Sequence, residues 1–223
     1  MGSMLRIYQY PVASRGFLWV ATISLLFSAS PNWAAETTER DQEFTRWELL
    51  YGKDLVGQAL PDWADLRFLD SPHKRDREDF EGKALIVRFW TAGCSLCLGS
   101  APTLSEWAEE YEEKGLVIIG VYHPKPPRRV SDKEVRELAS SIKMDLLLAV
   151  DDDWSVLDKL WMQGERRAYT SSAILVDPSG TIRATHRGGT LSPEGTEAEV
   201  AEYKAFSDSL QIVLGEMKKS KSP

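Results

Sequence analysis

Apolar residues fall into short continuous runs that predict the strands of a buried sheet. Three of these runs are long enough to predict strands covered on both sides, and they lie at residues 84–90, 116–122 and 146–150. Residues 173–176 and 181–187 flank Asp177-Pro178-Ser179-Gly180, a sequence typical of a tight turn. These last two segments therefore predict a β-hairpin.

Amphipathic segments between and after these runs predict helices. They lie at residues 98–114, from residue 131 onward, through Trp154, Leu157 and Trp161, and at residues 194–218. Ser131 is a suitable N-cap with Glu134 three residues later, and Pro102 is expected to kink its helix rather than end it. The alternation predicts an α/β protein with a central mixed β-sheet flanked by helices on both faces.

The first 35 residues have the composition of an export signal. Arg6 and Arg15 supply positive charge, residues 16–29 form an apolar stretch, and small residues stand at Ala34-Ala35. This order is typical of a secretory signal peptide, and the stretch is shorter than the roughly 20 apolar residues of a membrane-spanning helix. The sequence predicts a periplasmic or otherwise exported protein, with a cleaved signal favoured over a retained N-terminal membrane anchor.

Composition divides the rest of the chain into three predicted parts. They are a polar, partly helical extension at residues 36–59 with Phe44, Trp47, Leu50 and Tyr51 on one face, a domain at residues 60–218, and a disordered tail at residues 219–223. All the predicted strands lie in the second part. One domain with an N-terminal extension is therefore expected.

Charge excludes one class of partner. Residues 1–35 hold two Arg and no acid, so 25 basic and 34 acidic residues remain, a formal net charge of −9. Such a domain repels the phosphate backbone of DNA or RNA. The pairs Arg128-Arg129 and Arg166-Arg167 are isolated and form no basic stripe. The sequence therefore predicts no nucleic-acid partner.

Cys94 and Cys97 are the only cysteines in the 223 residues, and they stand between a predicted strand and a predicted helix. The first thiol lies at the helix N-terminus, where unpaired backbone N–H groups and the helix dipole favour a thiolate. The second lies one turn further on, close enough to form a small disulfide ring. This arrangement predicts thiol–disulfide exchange, with Cys94 as the nucleophile and Cys97 as the resolving thiol.

Three other roles for the cysteine pair stay open at this point. A structural zinc site needs about four ligands, and the chain adds only His73, His123 and His186, none paired at ligand spacing. A purely structural disulfide across two residues closes a small loop and adds little stability. Inert core cysteines would require a buried helix start. Redox exchange is favoured over all three.

Several motifs recur in the order and spacing of a known family. They are Gly82-Lys83, Phe89-Trp90-Thr91, Cys94-x-x-Cys97, Pro102, the segment 114–121 and the hairpin 174–180. Over about residues 60–189 the chain resembles the thioredoxin superfamily, in its exported TlpA/ResA-like branch, and is similar to the thioredoxin-like domain of DipZ-type proteins. The resemblance implies a thioredoxin-like fold and a thiol–disulfide oxidoreductase.

The same resemblance implies partners and roles. It implies protein substrates with cysteines or disulfides and no bound cofactor. A membrane electron donor is expected only if the protein is a reductase, and no metal site is expected. In this family the N-terminal cysteine of the pair attacks and the C-terminal one resolves, which gives Cys94 and Cys97 the same roles as above. The reductase direction is slightly favoured over the oxidase direction.

Two departures from the family lie before the cysteines, among residues expected to shape the site with Trp90 and Thr91. Gly93 stands where the family commonly has Trp, which opens one wall of the site. Arg88 stands where thioredoxins keep a buried acid. Its side chain either reaches the sheet edge to keep its charge in water or lies under the site, where it would favour a thiolate and the reduced form.

A third departure falls at the family's cis-proline position, which is occupied by Ser171 after Thr170. A cis bond before a residue other than proline costs about 3–4 kcal/mol. Ser171 is therefore expected to be trans or held under strain. This change puts ordinary substrate docking in question and leaves a small side chain beside the sulfurs.

Other functions stay open on particular residues. Thr91, three residues before Cys94, matches peroxiredoxin sites and makes a hydroperoxidase an alternative. His123 and His186 follow or end strands and could serve a copper-handling site. Altered or lost turnover would instead leave a thioredoxin-fold binding module for a partner protein or metal. Trp154, Trp161 and Met162 are interpreted as core, with a peptide-groove rim as the alternative.

Overall fold

The computed structural model describes residues 46–63, 65–71, 73–164, 167 and 169–220, and in them six strands form one mixed sheet. The strands are β1 Arg67–Phe68, β2 Ala84–Trp90, β3 Leu116–Tyr122, β4 Leu147–Val150, β5 Ala173–Val176 and β6 Ile182–His186. Their order across the sheet is β1-β4-β3-β2-β5-β6. β2, β3 and β4 are parallel, whereas β1, β5 and β6 run antiparallel to their neighbours.

Helices connect and cover these strands. In the described part they are α1 Arg46–Leu50, α2 Ser95–Tyr111, α3 Asp132–Ser141, α4 Ser155–Leu157 and α5 Glu197–Ser220. Short 3-10 turns lie at Lys53–Leu55 and Arg77–Phe80, and a π-helical turn, Asp158–Met162, continues α4. Ser131 caps α3 as predicted, because its Oγ accepts a hydrogen bond from Glu134 N.

Alternate side chains of β2 point to opposite faces of the sheet. Val87 and Phe89 pack in one cluster with Trp161 of the π-helical turn. Ala84 and Ile86 pack in a second cluster with α2 and α5. Helices therefore cover both faces, which confirms the predicted fold class and explains why the central strands are apolar throughout.

Helix α5 begins three residues later than predicted. The prediction began it at Glu194, whereas Thr196 and Glu199 form a reciprocal cap that starts it at Glu197. Thr196 Oγ1 accepts from Glu199 N, and Glu199 Oε2 accepts from Thr196 N. The helix runs to Ser220, through the first two residues of the predicted tail. Residues 221–223 lie outside the described residues.

A carboxylate caps the start of α4. Asp151 accepts hydrogen bonds from the backbone N–H groups of Val156 and Leu157. Trp154 does not belong to the helix as expected; it precedes α4 with a φ of +69°. The side chains of Trp154 and Met162 still pack against the core cluster that contains Trp161, so the core interpretation of these residues is supported.

Residues ahead of position 60 take part in the fold. Leu55 lies in the core cluster on the Trp161 face. Gly57 donates a backbone hydrogen bond to Ile182 of β6, and Ala59 forms a β-bridge with Thr181. Phe44 and the predicted signal or anchor, residues 1–35, lie outside the described residues. No helix in the described ranges is long and apolar enough to span a membrane.

Candidate active site

The two cysteines stand at the start of α2, four and seven residues after β2 ends. Cys94 is the N-cap residue, and its Sγ accepts a hydrogen bond from Cys97 N at 3.1 Å. This cap starts α2 at Ser95 rather than at the predicted Leu98. The pair is joined in a disulfide, with the two Cα atoms 5.2 Å apart.

The two sulfur-bearing residues differ in access to solvent. Cys94 is partly exposed, whereas Cys97 is fully buried in the cluster that also holds Trp90 and Tyr122. An attacking thiolate needs access to its partner, and a resolving thiol needs access only to the first sulfur. The geometry is therefore compatible with the predicted roles of the two residues.

Gly93 forms an open approach to Cys94. Its φ is +71°, a region in which glycine is favoured because it has no Cβ. It is exposed, and a Cβ built on it would meet nothing within 4 Å. Gly93 therefore leaves open space at this position beside Cys94.

Trp90 and Thr91 line the approach on the strand side. The indole of Trp90 packs edge-on against Tyr122, with ring centroids 4.9 Å apart. Both residues are buried, yet neither Trp90 Nε1 nor Thr91 Oγ1 has a hydrogen-bond partner among the described residues. Buried polar atoms normally find partners, so these two groups are exceptions to that rule.

Arg88 lies under α2 and does not reach the sheet edge, so the first of the two expectations for it is wrong. Its side chain is fully buried. Nη2 donates to Ser100 Oγ at 3.1 Å and to the Gly189 carbonyl at 3.3 Å, whereas Nε and Nη1 have no partner in the described part of the chain. Burial lowers the pKa of Arg88 to about 10, so the group stays charged at neutral pH.

A histidine lies across the sheet from this arginine. Arg88, Ala173 and His186 are register partners on three adjacent strands, so their side chains share one face. Burial, together with the charges of Arg88 and Arg187, lowers the pKa of His186 to about 3. His186 is therefore neutral, and its Nε2 lies 3.8 Å from Glu202.

Thr170 and Ser171 lie at the cysteine end of the sheet. Phe89 N donates to Ser172 O, so the register places the two preceding residues beside the end of β2. Both are buried, and the peptide bond between them is trans. Ser171 thus adopts the unstrained alternative of the two that its sequence position allowed.

His123 supports this loop. Its Nε2 lies 3.1 Å from the Thr170 carbonyl, and because a carbonyl only accepts, this nitrogen carries the hydrogen. Burial, followed by the charge of Lys125, lowers the pKa of His123 to about 4. In the described ranges no group of three or more His, Cys, Asp or Glu side chains is arranged to hold a metal ion.

Pro102 and Ser100 complete the description of α2. Pro102 is exposed and does not end the helix, which continues to Tyr111. Ser100 is buried and was missed by the sequence analysis, as was the role of His123. Nothing in the sequence near Ser100 indicates its hydrogen-bond partners. One lies on β2, and another lies in the loop before α5, about 90 residues further along the chain.

Comparison with known proteins places these residues in a family. The AhpC/TSA family model matches residues 56–185, which is more than half of the chain and includes the cysteine pair. The DipZ protein of Mycobacterium tuberculosis is 25% identical over 118 residues, a match that covers 52% of this chain and 16% of that protein. The chain thus corresponds to a small part of the full-length DipZ protein.

Two further comparisons cover most of the matched proteins. The thioredoxin-like protein YneN of Bacillus subtilis is 28% identical over 157 residues, which is 68% of this chain and 86% of that protein. The solution structure of a candidate protein disulfide isomerase from Bacteroides thetaiotaomicron matches with a TM-score of 0.56 and 17% identity, over 72% of this chain and 90% of that one. At 17% sequence identity, this match shows a shared fold and nothing about a shared function.

Proposed function

Because the chain belongs to the AhpC/TSA family, we propose that it is a thiol–disulfide oxidoreductase of the thioredoxin fold that acts on protein cysteines. One observation carries the proposal: a disulfide whose first sulfur, Cys94, is accessible at the N-terminus of α2, while its second, Cys97, is buried behind it. A structural disulfide would gain nothing from this difference in access.

The reaction proceeds through two exchanges. In the reducing direction, the Cys94 thiolate attacks one sulfur of a substrate disulfide and the other substrate sulfur leaves as a thiolate, which takes up a proton. Cys97 then loses its proton and attacks the Cys94 sulfur, which releases the second substrate thiolate. The substrate disulfide is reduced to two thiols, and the Cys94–Cys97 pair is oxidised. The oxidising direction is the reverse sequence.

The buried charge of Arg88 supports a more oxidising pair. In the described part of the chain Arg88 forms no ion pair with a carboxylate, and it donates a hydrogen bond to Ser100, one turn beyond Cys97. A positive charge under α2 stabilises a thiolate, which exists only in the reduced pair. We therefore place the potential above the about −270 mV of thioredoxin, which argues against the reductase direction that the sequence slightly favoured.

Export completes the proposal. Residues 1–35 have the order of a signal peptide, and an exchange-active pair with no further cysteines suits an oxidising compartment. Expression of the full chain, followed by cell fractionation and mass measurement of its N-terminus, tests this. A protein recovered outside the cytoplasm without residues 1–35 supports the cleaved signal, and an uncleaved membrane-bound chain supports the anchor.

Single cysteine variants test the chemistry. Cys97→Ser retains the nucleophile and should accumulate mixed disulfides with substrate proteins, whereas Cys94→Ser should accumulate far fewer. Trapping by neither variant, together with no reversible disulfide in glutathione buffers, would contradict the enzyme. Partner binding that survives in both variants would then support the alternative, a binding module for a protein or metal.

Hydroperoxide reduction is the second candidate, and Thr91 favours it. Its buried Oγ1 has no partner in the described part of the chain and lies three residues before Cys94. Peroxiredoxin-like activation also uses an arginine. The two fully buried arginines of the described residues are engaged elsewhere, Arg88 with Ser100 and Arg167 with Asp54. Peroxide consumption that falls in Thr91→Val, while exchange with dithiothreitol persists, would establish this candidate.

A further inference from the structure

Two successive carbonyls in the loop before β5 each accept a hydrogen bond from a buried ring. Trp161 Nε1 donates to the Tyr169 carbonyl at 2.6 Å, and His123 Nε2 donates to the Thr170 carbonyl at 3.1 Å. Both donor side chains are fully buried, and they come from different elements, the π-helical turn and the residue after β3. Residues 169–171 are referred to below as the 169–171 loop.

The sequence of the 169–171 loop restrains its backbone only weakly. The loop reads Tyr-Thr-Ser and so contains no proline ring to fix φ, and β5 begins only at Ala173. Fixing the backbone of such residues costs conformational entropy. The hydrogen bonds from the two buried rings oppose this cost, so the restraint on the loop comes from distant parts of the chain.

His123 also connects the 169–171 loop to the strand that leads to the cysteines. Its backbone N–H donates to the Trp90 carbonyl at 2.9 Å, while its side chain donates to the Thr170 carbonyl. Trp90 ends β2, and Cys94 follows four residues later. One buried histidine therefore joins the backbone ahead of the nucleophile to the 169–171 loop.

The other side of the 169–171 loop faces residues that pack on the cysteine helix. A Cβ built on Gly188 would lie 3.3 Å from the Ser171 carbonyl oxygen, and one built on Gly99 of α2 would lie 2.8 Å from Thr190 Cγ2. Residues 188–190 thus contact both the loop and α2. The side chain of Tyr169 is 48% exposed, so the loop reaches the surface at this end. A polypeptide that reacts with Cys94 therefore passes close to the loop.

We propose that His123 and Trp161 are positioning residues of the exchange reaction, which hold the 169–171 loop in the conformation that receives a polypeptide next to Cys94. This inference rests on the proposed function. Both rings are buried, so they act through the two carbonyls and do not touch the substrate. A loop that is ordered before binding loses less conformational freedom when a polypeptide docks on it. A small disulfide without a peptide backbone gains nothing from this order.

Two disulfides with the same leaving group test the proposal. One is a short peptide whose single cysteine is joined to mercaptoethanol, and the other is hydroxyethyl disulfide, which has no peptide bond. The Cys94 thiolate attacks the peptide sulfur, and mercaptoethanol leaves as a thiolate that takes up a proton. Cys97 then loses its proton and displaces the peptide thiol. The products are the oxidised protein, one peptide thiol and one mercaptoethanol, whereas hydroxyethyl disulfide yields two mercaptoethanol molecules.

The readout is the rate constant for the peptide divided by that for hydroxyethyl disulfide. His123→Leu and Trp161→Phe each remove one ring N–H donor and should lower this ratio about tenfold. His123→Gln keeps a side-chain N–H donor and should retain the ratio to within about threefold. Trp63→Phe is the matched control, because Trp63 lies in the same core cluster as Trp161 but donates to the Arg75 carbonyl. It should leave the ratio unchanged.

Each possible result supports or contradicts one of the two proposals. Rates that fall equally for both disulfides in His123→Leu and Trp161→Phe would overturn the positioning role, since the ratio would then be unchanged. A ratio in His123→Gln as low as in His123→Leu would also overturn it, because the hydrogen bond would not be the cause. Failure of the wild-type protein to react with hydroxyethyl disulfide would overturn the proposed function itself.

Discussion

Arg88 Nη2 donates a hydrogen bond to Ser100 Oγ over 3.1 Å, beneath the first turns of the helix that carries the cysteines. The same hydroxyl donates to the Leu96 carbonyl and accepts from Leu191 N at 2.8 Å. One serine therefore connects β2, α2 and the loop that precedes α5. This connection places a buried positive charge and the backbone beside Cys97 in one hydrogen-bonded unit.

Removal of the charge at Arg88 should make the cysteine pair more reducing. Arg88→Met leaves an apolar side chain of similar length, so the thiolate of the reduced pair loses electrostatic stabilisation. We expect the potential to fall by about 30 mV or more, which is a tenfold change in the exchange equilibrium. Equilibration with glutathione buffers measures it, and the pH midpoint of Cys94 alkylation should rise in parallel.

Arg167 is the matched control for this prediction. It is equally buried, but it pairs with both carboxylate oxygens of Asp54, at 2.5 and 2.7 Å. Arg167→Met leaves a carboxylate without its partner and should cost about 3–5 kcal/mol of stability. Its potential should stay at the wild-type value. A shift of the same size in both variants would show that loss of packing, and not charge at Arg88, changes the potential.

Ser100→Ala should destabilise the fold through unsatisfied buried groups. The substitution removes the acceptor of Leu191 N and one acceptor of Arg88, and both groups remain buried. We expect a loss of about 1–3 kcal/mol in the free energy of unfolding, measured with urea. Ser105→Ala, at a partly buried position of the same helix whose hydroxyl hydrogen bonds with Lys143 O and Asp145 N near the surface, should cost less than half as much. Equal costs would argue against the special role of Ser100.

Alanine substitutions at Gly52 and Gly57 test how closely the N-terminal extension packs on the domain. Gly52 and Gly57 both have positive φ, at +70° and +86°. A Cβ on Gly52 would lie 2.6 Å from Trp161 Cζ3, whereas a Cβ on Gly57 would meet nothing within 4 Å. Gly57→Ala should therefore cost about 1 kcal/mol from backbone strain alone, and Gly52→Ala should cost at least 1 kcal/mol more by thermal or urea unfolding.

Acid should destabilise the protein through its two buried histidines. Burial lowers the pKa of His123 to about 4 and that of His186 to about 3. The unfolded chain therefore binds protons that the native state does not, and stability falls as the pH drops below about 6.5. Each histidine should account for about 2 kcal/mol between pH 6.5 and 4.5.

Asp151 opposes this trend. Burial raises its pKa to about 6, so the native state binds the extra proton there and gains stability between about pH 6 and 4. Urea unfolding at several pH values should show a shallower acid loss in His186→Gln than in the wild type. An acid loss in His186→Gln as steep as that of the wild type would contradict the lowered pKa of His186.

Local patterns in the sequence were sufficient to predict most of the strands and helices. The runs at 84–90 and 116–122 form β2 and β3 with the predicted bounds, and the turn at Asp177 forms through side-chain hydrogen bonds to Ser179 and Thr181. These features depend on residues close together in the chain. The start of α2 was misplaced by three residues because the Cys94 cap is a side-chain contact that hydrophobic periodicity does not detect.

By itself, the sequence determined the order of β2 to β6 along the chain, the fold class and the position of the cysteine pair at a helix start, but not the short strand β1. Only the tertiary structure determined where the Arg88 side chain lies, because its hydrogen-bond partners, Ser100 and Gly189, belong to other parts of the chain. It also placed Leu138 and Ile142, at the end of α3, around the same cavity as Cys94. Periodicity specifies which side of an element is buried, but the identity of the covering residues depends on how distant elements pack together.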